Sequence, residues 1–205
     1  MHSSSTNWIN RLAVSSQPIP IAKFSVMRDF KNAKQIAQSA ISELGEPEIV
    51  ILDNSTREFE AGWVFYYQFQ QFIGTNELGK LLVGNAPIFV PRLDLPPAYI
   101  SYHRPIEESM TAFKRCGDAN GGKVPAVSIS TREVGASKFG AINAIRSHST
   151  LGLADAKLAV DKCLNGGEST VATKSIDDAD ELVRKLAEFG FHGYGMYRAK
   201  TDFFE

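Results

Sequence analysis

The residues best spaced for chemistry lie at Gly117-Asp-Ala-Asn-Gly-Gly122-Lys123. Their glycine and lysine positions match the G-x-x-x-x-G-K of a phosphate loop, whose backbone N–H groups cradle phosphates. The rest of that device is missing. Val124 stands where a magnesium-binding Ser or Thr belongs. Pro125 forbids the helix whose N-terminus would hold the phosphate, and no strand leads in. The segment reads instead as a linker.

Other reactive residue types form no working set. His2, His103, His148 and His192 are scattered and make no ligand motif of their own. Cys116 and Cys163 constitute neither a disulfide framework nor a zinc site. No G-x-S-x-G elbow occurs, and neither cysteine has a recognisable nucleophile context. Asn54-Ser-Thr56 fits a glycosylation sequon, but Met1 to Phe24 lacks the charged-then-apolar layout of a secretory signal. The expectation is a cytoplasmic, non-enzymatic protein without metal or cofactor.

Nucleic acid is also disfavoured. The formal net charge is −1 and is even along the chain, so no half carries the basic excess of a phosphate-backbone binder. A helix-turn-helix reading of residues 138–164 meets the same objection. The second helix, Leu153-Ala-Asp-Ala-Lys-Leu-Ala-Val-Asp-Lys162, sets two aspartates against two lysines. No run of apolar residues is long enough to cross a membrane.

The elements that must position any binding surface follow from periodicity. Residues 1–24 are Ser/Pro-rich, with Pro18 and Pro20, and read as an extended lead-in. Phe30, Ala33, Ile36, Ala37, Ala40, Ile41 and Leu44 form the stripe of an amphipathic helix closed by Gly45 and Pro47. Strands are expected at Glu48–Asp53, Gly62–Gln70, Ala86–Val90 and Ala98–Tyr102, then a helix over Pro105–Lys114. On the second strand Trp63, Phe65, Tyr67 and Phe69 share a face that reads as core, so Trp63 is expected to be structural. Gly84-Asn85 marks a tight turn. Beyond the linker the order is a strand at Ala126–Thr131, helices at Lys138–Ser147 and Leu153–Leu164, a strand at Thr170–Thr173, a helix capped by Ser175 and a strand at Phe191–Arg198. Gly152 is read as the φ > 0 corner between the first two of these helices, with Phe139, Ile142, Ile145 and Leu153 turned inward.

The fold class is therefore α+β in two small domains. The first is an antiparallel sheet with flanking helices over residues 25–116. The second, residues 124–205, is a β-α-α-β-α-β unit whose three-stranded antiparallel sheet packs on helices; residues 117–123 link the two.

Two resemblances extend this reading. Lys138-Phe-Gly-Ala-Ile-Asn-Ala-Ile-Arg146, Leu151-Gly-Leu-x-x-Ala-Lys157 and Ala179–Gly190 resemble the C-terminal domain of the bacterial large-subunit ribosomal stalk protein, over roughly residues 124–199. In that family the first helix and the corner dock translation factors, and Lys138, Ile142, Arg146, Gly152 and Lys157 hold matching positions. The resemblance implies partner-binding roles for Lys138, Ile142, Arg146 and Lys157, with Ile142 as a partly exposed anchor. Asn143 departs from a family lysine. Glu60-Ala-Gly-Trp-Val-Phe-Tyr-Tyr67, Leu82-Val-Gly-Asn-Ala-Pro-Ile-Phe-Val90 and Tyr99-Ile-Ser-Tyr102 resemble the immunity protein 35 family of bacterial polymorphic-toxin systems, over about residues 28–115. Pro91-Arg-Leu-Asp-Leu-Pro96 replaces that family's Asp-Lys-x-Thr-Gly, which implies a reshaped loop. The resemblance implies a protein that binds a cognate toxin and occludes its active site. The alternative is a translation-associated adaptor that holds a translation factor through the stalk-like domain.

Overall fold

The computed structural model describes residues 27–45, 48–75 and 81–200. The lead-in at 1–24 lies outside them, as does Pro47. The described residues fall into two compact units that meet between Gly121 and Gly122.

The first unit opens with α1 (Phe30–Ser42), capped by Asp29, whose carboxylate accepts from the Asn32 amide at 2.7 Å. Then come β1 (Ile49–Ile51), a 3-10 turn at Asp53–Ser55, β2 (Arg57–Phe59), β3 (Gly62–Phe65), β4 (Tyr67–Phe69), α2 (Gln70–Thr75), β5 (Ile88–Pro91), β6 (Ala98–Tyr99) and α3 (Ile106–Cys116). β2, β3, β5 and β6 form a four-stranded antiparallel sheet in that order, while β1 pairs separately with β4. Trp63 faces Val90 across the β3–β5 ladder.

The central strands β3 and β5 are buried on both faces. Trp63, Phe65, Ile88 and Val90 pack on Ala33, Ala37, Ala40 and Ile41 of α1, whose small side chains allow close approach. Val64, Phe89 and Ile100 pack on Met110 and Phe113 of α3, with the Phe89 and Phe113 rings edge-on at 4.8 Å. Trp63 is 2 % exposed, and the Arg92 guanidinium lies over its ring at 4.2 Å.

The expected strand Gly62–Gln70 is broken at Tyr66. Its second half leaves the main sheet to pair with β1, because Leu52 N–H takes the Tyr66 carbonyl at 2.8 Å. Gln68 is buried and pairs with Leu82 as a strand backbone would. Its Oε1 accepts from Leu82 N at 2.5 Å, and its Nε2 donates to Leu82 O at 3.2 Å. The Gly84-Asn85 turn forms with Gly84 at φ 78°, and Asn85 Nδ2 donates to Tyr67 O at 2.7 Å. In the Pro91–Pro96 loop, one guanidinium gathers the backbone. Arg28 Nη1 donates to Leu93 O at 2.8 Å and Leu95 O at 2.6 Å, and Nη2 meets Asp94 at 2.6 Å.

Residues 117–121, read as linker, are fastened to this unit. Ala119 joins its core. Asn120 Oδ1 accepts from Ser101 N at 2.9 Å, and Arg104 donates to the Ala119 and Gly121 carbonyls.

The second unit is built on β7 (Gly122–Arg132), followed by α4 (Lys138–His148), α5 (Leu153–Leu164), β8 (Ser169–Ala172), α6 (Ile176–Glu188) and β9 (Phe191–Arg198). The strand order β8-β7-β9 is antiparallel throughout. One core gathers Val127, Ile129, Ile142, Ile145, Val160, Leu182, Leu186 and Phe191. β7 starts earlier than Ala126 and runs through Pro125, where the β7–β9 register shifts between Lys123 and Val127. Proline is tolerated at such an irregularity because it withdraws an N–H that the ladder does not need there.

The α4–α5 corner corrects the reading of Gly152. That residue is the N-cap of α5 at φ −71°, ψ 174°, an extended conformation open to any residue. Ser149 makes the turn instead. Its hydroxyl donates to Ile145 O at 2.6 Å and accepts from Leu151 N at 3.2 Å, and its backbone bridges Thr173. Among the described residues, no helix is long and apolar enough to cross a membrane.

Candidate partner-binding surface

On the first unit a cleft of about 540 Å³ opens between the β2 strand, the Tyr66 break and the approach to α3. Arg57, at the start of β2, lines one wall, and Glu107, in the first turn of α3, lines the other. Arg57 Nη2 donates to Glu107 Oε1 at 2.5 Å, and its Cζ sits 4.9 Å over the Phe59 ring. Tyr66, at the strand break, lies beside Arg57. Tyr102, just past β6, is 65 % exposed, and its ring lies 4.3 Å from that of His103. Arg104 is mostly consumed by the carbonyls of the 118–121 turn and by Ser109 Oγ at 3.1 Å, so it shapes the wall.

The electrostatics follow from the one exposed pair. The hydrogen bond to Arg57 holds the Glu107 carboxyl below the usual carboxylate range, helped by a backbone N–H at the helix N-terminus. The Glu107 carboxylate in turn raises the Arg57 guanidinium above its ordinary value, with Tyr66 adding to it. An arginine held between carboxylate and tyrosine, beside an exposed tyrosine, suits protein recognition: rigid amphipathic rings and planar donors anchor interface centres. Among the described residues, no cluster of three His, Cys, Asp or Glu could hold a metal ion.

Tyr66 and Tyr102 fall within the segments that resemble immunity protein 35, but the sequence marks neither them nor Arg57 and Glu107 as binding residues.

The residues expected to bind a partner are placed differently. Lys138 opens α4 and forms an ion pair with Asp161 of α5, an acid that had not been foreseen in this role. Ile142 is only 7 % exposed and belongs to the core, so it offers no anchor. Phe139 and Leu153, expected inside, are 76 % and 59 % exposed. Ile142 and Ile145, expected inside with them, are buried, so only the first residues of each apolar stripe turn outward. Arg146 and Lys157 are exposed, and neither forms an ion pair among the described residues.

Comparison with known proteins bears on the first unit. Residues 31–102 match the family model for immunity protein 35. No curated protein and no solved structure matches the chain. The resemblance of residues 124–199 to the ribosomal stalk domain gains no support from these comparisons.

Proposed function

We propose that this chain is an immunity protein of a polymorphic-toxin system, which binds a cognate bacterial toxin and blocks its active site or substrate path. The observation that carries the reading is the match of residues 31–102 to immunity protein 35. That segment spans α1 and all strands of the four-stranded sheet, and it contains Arg57, Tyr66 and Tyr102. Inhibition by occlusion needs a preformed surface and no bond-making chemistry, and the cleft supplies rigid aromatic and arginine contacts.

The direct test pairs the chain with the product of the neighbouring reading frame. Co-expression is expected to restore growth of cells that carry the toxin, and the two proteins are expected to co-purify. Arg57→Ala with Tyr102→Ala is expected to weaken binding by about 2 kcal/mol or more, the scale of interface anchors. A chain that neither protects nor binds that product would overturn the reading. Full binding by the double variant would move the contact away from this cleft.

A further inference from the structure

Helix α5 turns a stripe to solvent that the other described residues leave uncovered. Leu158, at its middle, is 70 % exposed, and Ala154, one turn earlier, is exposed beside it. Asp155 and Lys162 flank this stripe. At 3.6 residues per turn they lie about 60° and 40° round from Leu158 in the same sense, and roughly 10 Å apart along the axis. Both are exposed, and neither forms an ion pair among the described residues. On the opposite flank Asp161 is already engaged by Lys138. On the flank of Leu158 away from Asp161 and Lys157 the charges are therefore one anion and one cation, set at nearly equal distances before and after an apolar centre.

Such a stripe is complementary to itself turned end for end. We propose that α5 pairs antiparallel with α5 of a second copy, about a two-fold axis beside Leu158. The two Leu158 side chains meet, and each Asp155 faces Lys162 of the other copy. Closed two-fold symmetry brings the same patch from both copies together, so one apolar residue and one opposite-charge pair are used twice. The charges also favour this direction: in a parallel pairing the charged flanks of the two copies lie on opposite sides of the seam and no Asp155–Lys162 pair forms. A single helix seam buries less than the roughly 1,000 Å² that marks a stable interface, so the dimer is weak and concentration-dependent.

Sedimentation of the full chain from micromolar to millimolar concentration tests this. Wild type is expected to pass from monomer to dimer over that range. Lys162→Glu and Asp155→Lys, each of which sets like charges opposite one another, should weaken association about tenfold or more. Asp155→Lys combined with Lys162→Glu should restore association to near the wild-type constant, because both pairs re-form with reversed sign. Circular dichroism of each variant confirms that the exposed substitutions leave the fold intact. A chain that stays monomeric throughout, or single and double variants that dimerise alike, would overturn the proposal. So would variants that keep the wild-type association but lose a toxin, since the face would then belong to that partner.

Discussion

Gly140 lies directly beneath the ring of Phe189: a Cβ added to Gly140 would stand 2.3 Å from Phe189 Cδ1 and 2.6 Å from its Cγ. The glycine thus lets α4 and the end of α6 touch at backbone distance. In a helix interior, alanine would otherwise be favoured over glycine by about 1 kcal/mol. Here the clash outweighs that gain, since overpacking costs about 1–3 kcal/mol. Gly140→Ala is expected to lower stability. In a Phe189→Ala background the same change should raise it, and denaturant unfolding of the four proteins measures the reversal. A substitution that destabilises both backgrounds equally would refute this account of the contact.

The α4–α5 corner should depend on Ser149 and tolerate change at Gly152. Ser149→Ala leaves a buried carbonyl and amide without their hydroxyl partner and is expected to cost about 1–3 kcal/mol. A Cβ at Gly152 meets nothing within 4 Å, and the backbone there is extended. Gly152→Ser should stabilise by about 0.5–1 kcal/mol, through an added cap and a less flexible unfolded chain. Thermal melts of both variants, moving in opposite directions, check this.

The turn at 118–121 should resist proteolysis as long as Arg104 holds it. Lysine cannot reproduce a planar fork that reaches Ser109 Oγ and two carbonyls. Arg104→Lys is therefore expected to expose a proteinase K cut between residues 117 and 122. The two fragments are expected to keep their helix and strand content, as separable domains would. Mass mapping that finds equal cutting in both proteins would show that the turn is held by other contacts.

Acid should weaken the start of α6. Asp178 meets His148 Nδ1 at 3.0 Å and accepts from the Ser175 hydroxyl at 2.8 Å, and the Ser175 side chain in turn takes the Asp178 amide at 3.0 Å. The His148 contact, and then Ser175, hold this carboxyl below the usual aspartate range. A depressed folded-state value means that the stabilisation is complete above the ordinary pKa of about 4 and fades as pH falls through the lower folded value. The melting-temperature gap between wild type and Asp178→Asn should be full at pH 6 and shrink steadily from about pH 4 downward. A gap that grows on acidification would have the wrong sign.

Much of the framework was legible because the hydrophobic period is strong. Within the stripe from Phe30 to Leu44, Ala33, Ala37, Ala40 and Ile41 go inside while Phe30 and Leu44 stay exposed, and the Ser175 cap precedes the buried Ala179, Leu182 and Leu186. Departures arose where tertiary partners decide. β2 reads as Arg-Glu-Phe and carries no apolar alternation; it becomes a strand because Arg57, Glu58 and Phe59 oppose Val64, Trp63 and Gly62. On α4 the apolar residues exceed one face, so packing in the assembled unit decides that Ile142 is buried and Phe139 exposed. The cleft was invisible for a related reason: Arg57, Tyr66, Tyr102 and Glu107 come from separate segments, and no local spacing records their convergence.

The two-sided burial of β3 and β5 also sets where this chain can be cut. The matched family segment ends at residue 102, whereas α3, which covers Val64, Phe89 and Ile100, begins at Ile106. A polypeptide trimmed to the family boundary would keep every strand of the sheet yet bare one whole apolar face. Such a face is a template for aggregation. A piece of the first unit that keeps this face covered therefore runs on through Gly121, where Ala119 and the Arg104 turn complete its underside.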